Sequence, residues 1–470
     1  YYVIIILMTK SKIILFLFIF SLVIVYQKAS ADNGTSTSAT TTPVSATTTS
    51  VTIIMPQVPA IIQQVKSAKQ QLESVKLNYD IRPVIKKSKK GKDIISRYEL
   101  TTKDIALAIL DPSSGQIKIT VGLQNGKSMI FNDPNFDVKL SRFNGVNSSF
   151  QINQPANGTV LALKYLISGT ETGSQKTIKD SLSESIYVPY SSALVSPEVV
   201  AYGQNYLNGI INKVTADLKF IPSQSIPGKQ IVEAIPPALI KSLIYAEHSN
   251  AGEVLFGNPQ VALDKLNILF ATNLGDTYRY SVSTAGARGI AQFITSTYTS
   301  LVKRHPEAGL ASDFVAGMSD HENAIKAMYM LIDDYAGAVR VTASQGFASA
   351  RVFDYGAASY NGGTTRVARA VNEFGDNWNQ DRTVLINKLQ SDIVSFNSQV
   401  KNLKAKIKTT KDKTVKTELQ NELSAVSGQL SDANNQIANT KSATLRNETV
   451  VYLQKIYKVI GFINADSELN

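Results

Sequence analysis

The chain has no cysteine, only three histidines and a single tryptophan among its 470 residues. Without cysteine there can be no disulfide, thiolate metal site or cysteine nucleophile, and no lipid attachment through an N-terminal cysteine. Imidazole chemistry is also thinly provided. His321-Glu322 lacks a second histidine at the spacing of a helical zinc site, because position 325 is Ile. No metal and no cofactor is expected. Phosphate-cradling glycine loops, dinucleotide fingerprints and nucleophile elbows are missing as well. Acidic residues are the minority charge: 37 Asp and Glu face 48 Lys and Arg, a net charge of +11. Such a surface favours anionic partners. No basic stripe is interleaved with aromatics, so an acidic wall polymer or a membrane surface is expected rather than nucleic acid.

Apolar runs long enough to cross a membrane are also wanting. Lys10 and Lys12 precede the apolar run Ile13–Val25, and Ala29-Ser30-Ala31 follows. A basic start, a short apolar run and small residues at a cleavage position predict a secretory signal peptide over 1–31. The run is shorter than the roughly 20 residues of a spanning helix. The alternative is an uncleaved anchor. The mature chain is therefore expected outside the cytoplasm, and membrane-anchored if the signal stays on.

Composition then divides the chain. Residues 32–55 form a Ser/Thr-rich linker with too little apolar surface to fold. Residues 56–94 hold a helix, from Ile61, Ile62, Val65, Ala68, Leu72 and Val75, and then a basic linker around Lys86–Lys92. Over 95–195, alternating segments such as Gln116–Gly122, with a hairpin signal at Asn125-Gly126, predict a small β-rich accessory domain with a binding or docking role. Residues 196–229 read as a helical connector and 230–379 as a helical domain. Over 380–445, apolar residues step by threes and fours on both sides of Thr409–Thr414, which predicts an antiparallel helical hairpin with a Lys-rich outer face. Residues 446–470 form a terminal amphipathic helix.

The chemistry concentrates in the helical domain. Pro236-Pro237 suits a helix start. Leu239, Leu243 and Glu247 then share one row, so a carboxyl falls on an apolar face. Desolvation there would raise its pKa and suit it to general-acid work, with a buried structural salt bridge as the plain alternative. Gly286-Ala-Arg-Gly289 permits tight backbone turns, and Gln292 offers both a donor and an acceptor. Tyr360-Asn361-Gly362-Gly363 supplies another hydroxyl and amide pair. Such groups suit sugar hydroxyl and N-acetyl groups.

In order, Glu247-His248, Gly286-Ala-Arg-Gly-Ile-Ala-Gln292, Ser359-Tyr-Asn-Gly-Gly363 and Glu448-Thr-Val-Val-Tyr452 resemble the motifs of the lytic transglycosylases of the Slt type. Asp320-His-Glu-Asn323 fits that family's intervening helix. The resemblance covers about 230–375 and 446–460. It implies an α+β multidomain chain: a mainly α lysozyme-like catalytic domain with an inserted antiparallel helical hairpin, preceded by the small β-rich domain. It implies cleavage of the MurNAc–GlcNAc β-1,4 bond of peptidoglycan with closure of a 1,6-anhydro ring. Glu247 would act first as acid and then as base, the substrate's own N-acetyl group standing in for a second carboxylate. His248, Gln292, Tyr360, Asn361 and Tyr452 become the substrate-binding residues. Peptidoglycan glycan strands are the implied partner. An envelope or secretion complex is a further one, reached through the β-rich domain or the hairpin. Two alternatives remain, a hydrolytic muramidase, with Glu253, Asp264 or Asp276 orienting a water, and a non-catalytic wall-binding component. The chain departs from the family in having His248 where the family has Ser and Ile290-Ala291 where it has Leu-Met. A longer segment after Glu247 also sets it apart, expected to add a helix over the cleft.

Overall fold

The β-rich half is organised by one long strand. In the computed structural model, which describes residues 58–343 and 346–468, helix α1 (Ala60–Glu73) precedes strands β1 (Tyr79–Lys87), β2 (Asp93–Asp111), β3 (Gln116–Asn125), β4 (Ser128–Ile130), β5 (Asp137–Arg142), β6 (Ser149–Gln154), β7 (Thr159–Ser168) and β8 (Thr172–Gly173). Helix α2 (Gln175–Asp180) and strand β9 (Leu182–Tyr187) complete this half. The signal peptide and the Ser/Thr-rich linker lie outside the described residues.

The antiparallel sheet runs β4-β3-β2-β7-β9, with β1 and β8 paired to the first half of β2; β5 and β6 form a separate two-stranded sheet. The middle of β2 is buried on both faces, and its period of two sorts its side chains. Ile105, Leu107 and Ile109 join the core beneath β5 and β6. Ala106 and Ala108 face α1, whose Ile62, Val65, Ala68 and Leu72 pack on them. Small residues on that face let the helix approach closely. The sequence reading placed 79–87 in a helix-and-linker segment; here it is strand β1, paired from Tyr79↔Lys103 to Lys87↔Asp93. The ribbon is largely exposed on both faces, so it carries no apolar alternation to read, and Pro83 argues locally against a strand. The basic run is its turn.

Helix α3 (Pro197–Leu218) follows, with the short α4 (Ile231–Ala234), then α5 (Pro237–His248), α6 (Ala251–Phe256), α7 (Pro259–Asn273), α8 (Thr295–Arg304), α9 (Phe314–Ser319) and α10 (His321–Thr342). The fold closes with α11 (Val352–Gly362), α12 (Thr364–Phe374), α13 (Thr383–Thr409), α14 (Lys413–Ala443) and α15 (Asn447–Glu468). The described chain is thus α+β, with an antiparallel sheet and a larger helical part. Local signals start several helices. Pro237 opens α5. Asn258 caps α7 and Asp320 caps α10 through side-chain oxygens that accept backbone N–H groups.

The segment expected to lie over a cleft is instead α7, one of the most buried helices. Leu263, Leu266 and Phe270 enter the large helical core. Ile268 and Ala271 join the core under α1, and Leu269 the one under β5–β6. Every residue of α7 from Leu266 to Asn273 is buried, so its second half lies inside the protein. Helix α3 crosses α7 at Gly203, where a Cβ would lie 1.9 Å from the Asn267 carbonyl oxygen. The 196–218 segment therefore does more than connect, since its first half packs with the sheet and its second half with the helices. Helices α13 and α14, joined by residues 410–412, lie against each other with Leu403, Val426, Ala433 and Ile437 buried. Among the described residues no helix is long and apolar enough to cross a membrane.

Candidate active site

Glu247 occupies the last turn of α5, and Leu243 of the same row is fully buried. Its carboxyl meets α15. The Tyr452 hydroxyl donates to Glu247 Oε1 across 205 positions of sequence. Tyr452 is itself buried, and Lys455, one turn on along the same face, donates from Nζ to the Ser249 carbonyl at 2.9 Å. Glu247 keeps partial exposure. Desolvation pushes its pKa above the ordinary glutamate value, and the Tyr452 hydrogen bond and the Lys455 charge oppose that rise only in part. Burial pulls the Lys455 ammonium down, against the pull of Glu247. Tyr452 and Tyr360 are both held well above the usual phenol range, first by burial and then by the nearby Glu247 charge. A carboxyl of this kind holds a proton at higher pH than a solvated one and has a phenol and an ammonium to stabilise its anion afterwards. That is the equipment of a group that gives up a proton and takes one back.

The Gly286–Phe293 segment forms a tight loop beside it. Arg288 bridges to both Val282 and Phe293. Gly289 has φ +69°, and a Cβ there would sit 2.0 Å from the Met318 carbonyl oxygen, so both conformation and space require glycine. The Ile290 carbonyl accepts from His248 Nε2 at 2.8 Å. The His248 ring stacks on Tyr278, 3.6 Å between centroids and 12° between planes. Burial lowers its pKa to about 4, so at neutral pH it is an uncharged imidazole carrying its proton on Nε2. His248 therefore clamps the loop to α5.

The amide and hydroxyl groups expected to read substrate are differently engaged. Gln292 Nε2 donates to the Gly289 carbonyl at 2.8 Å and to Ser281 Oγ at 3.4 Å. The Tyr360 hydroxyl donates to the Ala291 carbonyl. Asn361 is exposed and its Oδ1 accepts from Thr449 Oγ1 at 2.9 Å. Thr449 is fully buried beside Gly362, whereas Glu448 points outward to Arg446. All four sequence motifs thus converge: α5 holds Glu247, the loop is tied to it through His248 and to α11 through Tyr360, and α15 joins α11 through Thr449. The acids considered for orienting a water have other partners. Glu253 pairs with Lys265, Asp276 with Arg279, and Asp264 accepts from Gln260.

Sequence reasoning missed Lys455, Thr449 and Tyr278. Lys455 was legible as the helical neighbour of Tyr452 at three residues' spacing. Tyr278, with its φ of +61°, carried no local signal. Ser249 Oγ, two residues past Glu247, is buried with no partner among the described residues. No family model, curated protein or solved structure matches the chain.

Proposed function

We propose that the protein is a secreted lytic transglycosylase that cleaves the MurNAc–GlcNAc β-1,4 bond of peptidoglycan, with Glu247 as its single acid and base. The observation that carries this reading is the meeting of Tyr452 with Glu247 across 205 positions. The other two motifs are tied in beside that contact through His248, Tyr360 and Thr449. In this reading the helical part is a lysozyme-like domain in which α13 and α14 are an insertion. Protonated Glu247 gives its proton to the glycosidic oxygen as the C1–O bond breaks, and the sugar's N-acetyl oxygen stabilises the positive C1. The C6 hydroxyl then attacks C1 and its proton returns to Glu247, so no water is consumed. Tyr452 and Lys455 stabilise the carboxylate between the two steps. His248, Gln292 and Tyr360 hold the loop beside Glu247, while the exposed Asn361 is left to meet the glycan.

A second reading is a wall-binding component without turnover. It is favoured by the engagement of Tyr360 and Gln292 with backbone carbonyls. One experiment separates these. Mature protein and Glu247→Gln are incubated with purified peptidoglycan and the fragments are weighed by mass spectrometry. Anhydro ends from the wild type alone support the transglycosylase, and reducing ends make it a muramidase. Sedimentation with the polymer but no release by either protein supports the binding reading. Release by Glu247→Gln at the wild-type rate sinks the assignment of Glu247.

A further inference from the structure

Two lysines are buried in the sheet, and only one of them is hydrogen-bonded or ion-paired. Lys164 on β7 is 4% exposed, pairs with Glu184 at 2.8 Å and donates to the Glu73 and Val75 carbonyls. Lys103 on β2 is 6% exposed and makes no hydrogen bond or ion pair among the described residues. Its ammonium lies 4.5 Å from the centre of the Tyr165 ring. The ring and the nearby Glu171 charge offset only part of the penalty for taking the ammonium out of water.

Lys103 borders open space. A cavity of 470 Å³ is lined by Lys103, Tyr165, Glu171, Tyr278, Tyr280 and Ser281 among others. A neighbouring cavity shares Lys103 and Glu171 and includes Gln124. Gln124 is 5% exposed, and its Oε1 has no partner among the described residues. One buried unpaired cation and one buried unpaired acceptor therefore stand at the same place. The first cavity also backs onto the candidate active site. Ser281 Oγ accepts from Gln292, and Tyr278 stacks on His248, the residue after Glu247.

We propose that this junction between sheet and helices is a binding site for a carboxylate that carries an adjacent N–H or O–H donor. The carboxylate takes the Lys103 ammonium. Gln124 Oε1 and Glu171 accept from the donor, and the faces of Tyr165 and Tyr280 cover the carbon skeleton. Two sources have this chemistry, a lactyl-type sugar acid and the C-terminus of a short peptide. Assigning either to a peptidoglycan strand lying along the Glu247 groove rests on the function proposed above. The carboxylate site itself does not.

The test is ligand-observed NMR and calorimetry on the full chain with N-acetylmuramic acid, D-alanyl-D-alanine and N-acetylglucosamine. At least one acid-bearing probe is expected to bind tenfold or more tightly than N-acetylglucosamine. Lys103→Met should remove that preference, and Glu247→Gln should leave it intact. If Lys103→Met fails to fold, Tyr280→Leu and Glu171→Gln on the cavity wall carry the test, each expected to weaken the acid probe severalfold. Whichever acid binds better identifies the source. Equal binding of acids and N-acetylglucosamine overturns the inference, as does acid binding that survives these substitutions in folded protein. Peptidoglycan turnover is assayed separately. Acid binding without turnover would leave this site standing and remove the proposed activity, and turnover without acid binding would do the reverse.

Discussion

Two acids of this molecule, Asp333 and Glu247, are both withdrawn from solvent, yet their surroundings differ in kind. Asp333 on α10 is 3% exposed and accepts from Ser223 Oγ at 2.7 Å, Gln224 N at 2.6 Å, Ser225 N at 3.2 Å and Ser225 Oγ. Every one of these donors comes from the 223–225 turn before α4. The carboxylate is saturated, and its role is to pin that turn to α10. Glu247 has one phenol donor and a neighbouring ammonium, and it keeps a path to solvent. A carboxylate whose oxygens are all occupied by donors serves structure. One left short of donors in a desolvated place can change its charge, which is what proton transfer requires.

The comparison can be broken most sharply at Glu247. Glu247→Gln is expected to lower glycan cleavage by about a thousandfold, within the range for removing a general acid. The same substitution should not destabilise the fold. The folded pKa of Glu247 is raised, so its contribution is favourable below the ordinary glutamate value and is lost as pH rises through the folded value. Gln has no such loss. The melting temperature of the variant should exceed wild type at pH 8, with the difference closing towards pH 4. An unchanged difference across that range would mean that Glu247 is not desolvated.

Asp333→Ala should behave in the opposite way. It leaves the Ser223–Ser225 donors without their acceptor and is expected to cost about 3 kcal/mol of stability by denaturant titration. Activity per folded molecule should be unchanged. A loss of turnover at full folding would erase the distinction between the two acids.

Tyr452→Phe sharpens the comparison by making Glu247 poorer still in donors. The Tyr452 hydrogen bond lowers the Glu247 pKa, so its loss raises that pKa further. The alkaline limb of the pH–rate profile should move up, with kcat falling about tenfold. Least in size is the clamp beside the site. His248 has an ordinary value of 6.5 and a folded value of about 4, so the stability that it contributes is present above pH 6.5 and is lost as pH falls towards 4. His248→Gln is expected to flatten thermal unfolding over that window. His321, also pulled down by burial, retains its own share of the acid sensitivity.

Much of the site was visible in the chain because it is local. Helical spacing alone put Glu247 in the row of Leu239 and Leu243, and Asp320 announced the start of α10. The need for glycine at 289 was readable in kind, though the Met318 carbonyl that enforces it was not. Strand β1 was invisible because an exposed ribbon asks no apolar pattern of its residues. The place of α7 was misjudged because apolar residues such as Leu263, Leu266, Leu269 and Phe270 look the same whether their helix covers a cleft or fills a seam.

By itself, then, the sequence determined the helix faces, the caps, the turn glycines and the order of the motifs, since these follow from covalent geometry and neighbours within a few residues. Only the tertiary structure decided that Tyr452 reaches Glu247, that Tyr360 and Gln292 bond to backbone carbonyls, that His248 clamps a loop, and that Lys103 is buried with no hydrogen bond or ion pair among the described residues. Those outcomes depend on which distant surfaces pack together to remove apolar area from water, and that choice belongs to the whole chain.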